Sequence, residues 1–129
     1  MKQVIVMRKD LNMRKGKMCA QAAHASMKVL LDRSKHSLYK DGVEINELII
    51  PIRDIKEWIL GSFTKVVVSV DSEEELFAIY NKAMEASIPC TLIQDAGKTE
   101  FNEPTYTCCA IGPCNNDKVD TITGNLKLL

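Results

Sequence analysis

The sequence predicts an α/β fold in which helices cover both faces of one sheet. Short apolar, β-branched runs that are typical of buried strands recur along the chain, and segments with helical patterning separate them. The chain has 129 residues, of which 46% are hydrophobic and 26% charged, and this composition suits one compact domain. Strands that alternate with helices predict a sheet with helices on both sides.

The first strand and the longest helix occupy the first third of the chain. Gln3–Arg8 is apolar and β-branched and predicts a buried strand. After the polar connection Asn12–Gly16, a run of small residues opens a segment that we predict as one helix from Lys17 to about Tyr39. In this interpretation Asp41-Gly42 ends the helix, because glycine commonly follows a helix C-terminus.

Residues 43–62 have a less regular pattern. Glu47–Ile50 predicts a short strand. Pro51 is favourable at a helix start, so Ile52–Leu60 predicts an amphipathic helix that Gly61 ends. The apolar positions of this segment suit a cover for an edge strand or an oligomer contact.

The second half of the chain continues the alternation of strands and helices. Its predicted elements are strand Lys65–Val70, a helix from Glu73 to about Ala86, strand Cys90–Gln94, strand Tyr106–Ile111 and a helical turn around Asn116–Thr121. Ser72 and three glutamates open the first of these helices, where the helix dipole favours negative charge. Gly112-Pro113 ends the fourth strand in this prediction.

Composition and cysteine usage exclude several classes of protein. No apolar run reaches the roughly 18 residues that a membrane span needs, and charge interrupts the N-terminal apolar stretch too early for a signal peptide. The five cysteines form no C-x-x-C pair, so we expect reduced thiols and a cytoplasmic protein. Two histidines without paired cysteines disfavour a zinc site, and 5% aromatic residues disfavour a stacking platform for single-stranded nucleic acid.

The net charge of zero conceals an uneven distribution. Residues 1–40 hold ten lysines and arginines against two aspartates, a local charge of +8, and the remaining residues therefore sum to −8. A basic segment of this kind suits a phosphate-binding face, but it also suits an ordinary solvated surface. Charge alone favours the solvated surface.

The predicted topology brings several polar residues to one edge of the sheet. Right-handed crossovers make the first three strands mostly parallel, whereas the eleven residues 95–105 have no helical pattern and favour an antiparallel return. Asp95 then lies near Thr105 and Thr107, with Thr99 in the intervening loop. Because ligands of open α/β sheets bind outside this edge, the cluster is a candidate site.

The N-terminus of the long helix reaches the same edge. Lys15 and Lys17 lie there, and a helix N-terminus with adjacent lysines suits a phosphate or carboxylate group. Farther along, Lys17, Gln21, His24 and Lys28 form a narrow polar stripe on the helix. This stripe is either the solvent face of a helix that packs on the sheet or a histidine and a lysine directed into the crevice.

Three blocks of the sequence have a characteristic order and spacing. They are Lys2–Leu11 with Met13–Lys17 and Ala20–Ala25, then Lys65–Leu76, then Ile93–Glu100 with Pro104-Thr105, Ala110–Pro113 and the tail from Val119 to Leu129. Together they cover nearly the whole chain except about 40–62. In combination they resemble the type-2 (archaeal and eukaryotic-like) peptidyl-tRNA hydrolases.

The resemblance implies an esterase that cleaves the bond between the peptide and the terminal ribose of peptidyl-tRNA, which recycles tRNA from aborted translation. It implies a single-domain three-layer α/β/α sandwich around a mixed four-stranded sheet, over residues 1–129, with 43–62 as a family-variable insertion. It also implies that no metal or cofactor is required. We therefore expect peptidyl-tRNA as partner, no membrane association, and a homodimer as one option.

The active-site positions of the family correspond here to Lys17, His24, Asp95, Thr99 and Thr105. In the implied mechanism water is the nucleophile, and Asp95 orients or deprotonates it directly or by polarising His24. Lys17 stabilises the oxyanion, and the two threonines hold the water or the ribose. The residues expected to bind tRNA phosphates are Lys9, Arg14, Lys15 and Lys28.

Two features depart from the family pattern. Arg14 stands where the family usually has glycine, so it is strained if that position needs a positive φ, or else it adds a contact to RNA. The segment of residues 43–62 is longer than the corresponding segment in typical members of the family. Two alternatives to hydrolysis remain open: a non-catalytic tRNA-binding or regulatory protein with the same fold, and an interaction protein that uses 43–62 as an exposed partner surface.

Overall fold

Residues 1–40 and 43–129 are described by a computed structural model, in which a four-stranded sheet carries helices on both faces. The elements in chain order are β1 (Lys2–Arg8), α1 (Lys15–Leu31), β2 (Lys35–Lys40), β3 (Val43–Ile49), β4 (Lys65–Val70), α2 (Glu73–Glu85), β5 (Cys90–Asp95), β6 (Thr105–Cys114) and α3 (Asn116–Thr123). The sheet has the order β4-β1-β6-β5, and β2 and β3 form a separate hairpin. β1 is parallel to β4, whereas β6 is antiparallel to both of its neighbours, so the predicted mixed sheet is confirmed.

Alternating side chains of the central strands build two apolar layers. In β1, Val4 and Val6 belong to one layer, while Ile5 and Met7 belong to the other. α2 and α3 cover the first layer, and α1 covers the second. The α/β/α sandwich predicted from the sequence is therefore confirmed. Among the described helices, none is both long enough and apolar enough to span a membrane.

The first helix is shorter than predicted. α1 ends at Leu31, not near Tyr39, because the Ser34 hydroxyl and backbone N–H both donate to the Leu31 carbonyl and so close its last turn. The following residues form β2, which pairs with β3 in the hairpin. The predicted stop at Asp41-Gly42 lies outside the described residues.

The segment 43–62 has two different halves. The predicted strand Glu47–Ile50 overlaps β3 except at Ile50, and the predicted helix over Ile52–Leu60 forms as an irregular helical segment. The segment consists of a 3₁₀ turn over Arg53–Ile55 and a π-helical turn over Trp58–Ser62, and its helical dihedral angles break at Gly61, where the sequence predicted the end. The Trp58 indole N–H donates to the Thr64 carbonyl. Ile55 and Trp58 are buried in the apolar layer that α1 covers, so this half is anchored in the core, whereas Leu60 is 70% exposed.

Two corrections concern the C-terminal part of the sheet. β6 continues through Gly112 to Cys114 and does not end at Ile111, because Gly112 adopts a φ of 86° within the strand and its N–H donates to the Pro89 carbonyl. The helix near the C-terminus extends to Thr123. Beyond it, residues 127–129 pair with the outer side of β4, which leaves β5 at the opposite edge of the sheet.

Candidate active site

The candidate site lies where the start of α1 meets the end of β5. Lys17 is in the first turn of α1, and Asp95 is the last residue of β5. The Lys17 Nζ lies 2.5 Å from the Asp95 Oδ1, and these side chains are only 13% and 11% exposed. The same ammonium donates to the Thr99 Oγ1 at 2.8 Å. Three residues that the sequence predicted to converge are therefore in contact.

Asp95 accepts hydrogen bonds on both carboxylate oxygens. Its Oδ1 also accepts from the Gln21 Nε2 at 3.2 Å, and its Oδ2 accepts from the Gly97 backbone N–H at 2.9 Å. The Lys17 ammonium is the main cause that lowers the pKa of Asp95, and partial burial opposes this effect without reversing it. Asp95 is therefore an ionised, oriented carboxylate at neutral pH.

Gln21 also contacts the candidate site, although the sequence analysis named it only as part of the polar stripe of the helix. Its side chain is buried, and its Oε1 accepts a hydrogen bond from the Thr107 hydroxyl at 2.5 Å. Because the oxygen is occupied in this way, the amide nitrogen is directed at Asp95. The available signal was its place one turn after Lys17 on the polar stripe of the helix.

The loop after β5 depends on Gly97. This residue has a φ of 78°, and a Cβ here would lie 2.4 Å from the Glu103 carbonyl carbon. The tight turn directs the Gly97 N–H at the Asp95 carboxylate and returns the chain across the site. Phe101 then lies with its ring centroid 5.7 Å from the Lys17 Nζ, a contact that the sequence gave no reason to expect.

His24 and Thr105 lie apart from the ion pair of Lys17 with Asp95. His24 is exposed on the flank of α1, and its imidazole makes no hydrogen bond to any described residue. Thr105 is paired with Asp95 in the sheet register, but its hydroxyl donates to the Glu103 carbonyl at 2.9 Å. The structure thus brings together three of the five predicted catalytic residues.

The four predicted phosphate-binding residues are exposed, but they are not grouped. Arg14 and Lys15 lie at the start of α1, and Lys9 follows β1. Lys28 lies about 20 Å farther along the helix axis, where it pairs with Asp32 at 2.7 Å. Of the four, only Arg14, Lys15 and Lys9 lie near the edge of the sheet that carries the candidate site.

Arg14 is not strained. Its φ of −63° and ψ of 156° are extended values that any residue adopts, so the position does not require glycine. Its backbone N–H donates to Glu100 at 3.3 Å, and its side chain is 90% exposed. With Lys17, Asn12 and Thr99 these two residues line an open cleft of about 740 Å³, which we call the polar cleft.

Besides the Glu100 carboxylate, the polar cleft offers ammonium, guanidinium and hydroxyl groups, a set that suits an ester-bearing ligand with a nearby phosphate. Across the part of the chain that the structure describes, no three His, Cys, Asp or Glu side chains are grouped so that they could hold a metal ion.

Comparison with known proteins agrees with this geometry. The model of the family "Peptidyl-tRNA hydrolase PTH2" matches residues 1–129. The chain belongs to this family. It is 44% identical to a peptidyl-tRNA hydrolase of Methanocaldococcus jannaschii over 129 residues, which cover 100% of both chains. It is 45% identical to one of Sulfurisphaera tokodaii, over 99% of this chain and 98% of the relative. A third, from Methanothermobacter thermautotrophicus, is 43% identical over 100% of both chains.

Family membership confirms the resemblance that three blocks of sequence indicated. The first block supplies Lys17 and Gln21, and the third supplies Asp95 and Thr99. These residues come from parts of the chain that are more than 70 positions apart, yet they form one hydrogen-bonded group. In this member of the family, the matched blocks meet at the polar cleft.

Proposed function

We propose that this protein hydrolyses the ester bond of peptidyl-tRNA and releases free tRNA and peptide. Its membership of the peptidyl-tRNA hydrolase PTH2 family supports this function. The observation that carries the mechanism is the enclosed ion pair of Asp95 with Lys17, the lysine that lines the polar cleft. An ester needs an oriented water and a charge that stabilises the tetrahedral oxyanion, and this pair can supply both.

The hydrogen bonds of Asp95 indicate where the water binds. Its Oδ1 already accepts from Lys17 and Gln21, whereas its Oδ2 accepts only from the Gly97 N–H. The Oδ2 therefore has a free lone pair for an attacking water. The lowered pKa keeps the carboxylate ionised but makes it a weak base, so Asp95 orients the water and takes its proton as the new carbon–oxygen bond forms. When the ester bond to the ribose breaks, this proton passes to the departing ribose oxygen.

The remaining donors suit the ester itself. The Lys17 ammonium has three protons, of which two are directed at Asp95 and Thr99. The third proton is available to the ester carbonyl oxygen, where negative charge develops. The Thr99 hydroxyl accepts from Lys17 and so retains its own proton, which can bond to the terminal ribose.

The proposal gives His24 and Thr105 roles at the margins of the site. His24 lies on the helix flank, where it can contact the substrate but not the Asp95 carboxylate. Thr105 holds the loop after β5 through the Glu103 carbonyl. Loss of either side chain should lower turnover less than loss of Asp95.

The proposed RNA surface comprises Arg14, Lys15 and Lys9. Their charges lie at the site end of the sheet, where acceptor-stem phosphates would approach the polar cleft. Binding by phosphate contacts weakens with salt, because bound counterions are released. We also propose a cytoplasmic location and a homodimer, and light scattering of the purified protein tests the dimer.

Release of peptide from N-blocked aminoacyl-tRNA in EDTA tests the function. We expect rapid cleavage of the blocked substrate and little cleavage of unblocked aminoacyl-tRNA, which serves as the control. Binding of the blocked substrate without cleavage would contradict hydrolysis and favour the non-catalytic tRNA-binding alternative.

A further inference from the structure

An apolar groove lies beside the candidate site, between the flank of α1 and β5. Its cavity measures about 520 Å³, and Met27, Leu31 and Ile93 are among the apolar residues that line it. Met27 and Leu31 are 53% and 38% exposed, so two large apolar side chains of one helix face solvent together. The mechanism proposed above uses neither of them.

The groove contains an open strand edge. β5 is the outer strand of the sheet, and within the described residues no backbone group outside β6 bonds to it. The opposite edge is different, because the tail residues Lys127 and Leu129 pair there with β4. An uncovered edge beside an apolar groove is the arrangement that binds extended peptides by strand addition.

The groove leads directly to the proposed reaction centre. Gln94 lines it, and the next residue of β5 is Asp95. On the helix side His24 lines it, one turn beyond Gln21, which donates to the Asp95 carboxylate. A chain that lies along β5 with one end at the Gln94 position therefore has that end beside Asp95.

We propose that this groove binds the peptide part of peptidyl-tRNA as an extended strand along β5. The inference rests on the proposed function, since it requires the ester carbonyl at Asp95. The ester joins the peptide through its C-terminal residue, so the peptide must leave the site with its N-terminal end pointing away. β5 also ends at the site, and the peptide therefore runs parallel to β5.

The size of the groove limits how much peptide it contacts. The three β5 residues that line it, Leu92–Gln94, extend about 10 Å at about 3.3 Å per residue. The groove thus accommodates roughly the last three peptide residues. Because strand side chains alternate, only alternate peptide residues point into the apolar wall, and a large apolar side chain there is favoured.

The other surfaces around Asp95 do not suit a peptide of this kind. The polar cleft carries Arg14 and Lys17 and suits RNA phosphates. A third cleft beside Thr105 is lined by four acidic residues, namely Asp10, Glu73, Glu74 and Glu103. Repulsion disfavours RNA in that cleft.

A comparison of two substrates tests this proposal. Both carry the same tRNA and the same esterified residue, but one has only an N-acetyl group and the other has three further residues before it, with leucines. We expect Met27→Glu and Leu31→Glu each to lower kcat/KM for the longer substrate about tenfold and for the short substrate less than about twofold. Met84→Glu is the matched control, since Met84 is 55% exposed on α2, outside the groove.

The possible outcomes separate the two proposals. Equal losses of kcat/KM on both substrates, or no loss on the longer one, would overturn the proposal that the groove binds peptide. The proposal of hydrolysis would still hold. If the unaltered protein cleaves neither substrate, the proposed function itself fails. A change from dimer to monomer with Met27→Glu, seen by light scattering together with equal losses, would mean that the groove holds a second copy of the chain.

A crosslinking measurement does not depend on folding of the variants. The probe is a non-cleavable amide analogue of the longer substrate that carries a photoreactive side chain two residues before the tRNA. It should label the segment of the protein that contains Met27. Labelling of the segment that contains Arg14 instead would overturn the proposal.

Discussion

Two groups of lysine, aspartate and threonine lie at opposite ends of α1, and only one has the properties of an active site. The inner cluster is Lys17, Asp95 and Thr99, and the outer cluster is Lys28, Asp32 and Thr91. The ion pairs are similar in length, 2.5 Å and 2.7 Å. The inner side chains are 13% and 11% exposed, whereas the outer lysine and aspartate are 49% and 44% exposed.

The pKa shifts alone do not distinguish the clusters. Burial raises the pKa of Asp32, but hydrogen bonds from Lys28 and Thr91 outweigh it and the net shift is downward, as it is for Asp95. The difference lies in the surroundings. Asp95 has two further neutral donors, Gln21 and the Gly97 N–H, which hold it in one orientation. Enclosure and fixed donors, not residue type, make the inner cluster suited to catalysis.

The largest expected effect separates the two aspartates. Asp95→Asn should lower kcat about 10³-fold, because the amide cannot accept the proton of the attacking water. Asp32→Asn should change kcat less than about twofold, since its pair is half-exposed and remote from the cleft. Hydrolysis of N-blocked aminoacyl-tRNA at saturating substrate measures both. Comparable losses of kcat in the two variants would contradict the conclusion that only the inner cluster is suited to catalysis.

The second largest expected effect is a difference in kcat between variants of Lys17 and of Lys28. Lys17→Ala removes the ammonium that we propose donates to the ester carbonyl, and it should lower kcat about 10²-fold. Lys28→Ala should leave kcat unchanged and have at most a small effect on KM that disappears at high salt. Steady-state kinetics at two salt concentrations decides this. Near-normal turnover of Lys17→Ala would exclude it as the oxyanion donor.

Two buried threonines offer a matched test of positioning. Thr107→Val removes the hydroxyl that holds Gln21, and Thr91→Val removes the hydroxyl that bonds Asp32. Thr107→Val should destabilise the fold by about 1–3 kcal/mol, because the buried Gln21 amide loses its hydrogen bond. Thr91→Val should cost about 1 kcal/mol, because Asp32 is half-exposed and keeps its hydrogen bond from Lys28. Only Thr107→Val should also lower kcat, about tenfold, with KM unchanged. A parallel fall in kcat for Thr91→Val would show that the loss follows general destabilisation.

A smaller effect is expected at the rim of the inner cluster. Arg14→Ala should weaken tRNA binding a few-fold and reduce the slope of log affinity against log salt by about one. Lys82→Ala is the control, since Lys82 lies on α2, on the opposite face of the sheet. Titration of labelled tRNA at several salt concentrations measures both slopes. Equal slopes for Arg14→Ala and the unaltered protein would remove Arg14 from the RNA surface.

The smallest expected effect concerns stability and pH. Because the folded-state pKa of Asp95 lies below its unfolded value, ionised Asp95 stabilises the fold above the unfolded pKa of about 3.9. This contribution is lost as the pH falls through the lower folded value. The difference in unfolding free energy between the unaltered protein and Asp95→Asn should therefore be constant above about pH 5 and shrink below it. A difference that grows with acid would contradict the sign of the shift.

The sequence predicted the meeting of Lys17, Asp95 and Thr99 because strand direction and helix position determine it. The sequence could not predict individual side-chain hydrogen bonds. The Thr105 hydroxyl donates to the Glu103 carbonyl of its own loop, and Gln21 is oriented toward Asp95 only because Thr107 bonds its side-chain oxygen. The end of α1 was missed for a similar reason, since a single serine at the Leu31 carbonyl outweighs helical patterning. Topology follows from long-range patterns, whereas these details follow from individual polar groups.

Trp58 gives the protein a built-in optical probe. It is the only tryptophan in the sequence, its side chain is fully buried, and its ring centroid lies 4.6 Å from that of Phe63. Its indole N–H is held by the Thr64 carbonyl at 2.7 Å. An indole shielded in this way emits at short wavelength and shifts to the red when water reaches it. Intrinsic fluorescence therefore reports the integrity of the layer beneath α1 without any label, in the same sample used for kinetics.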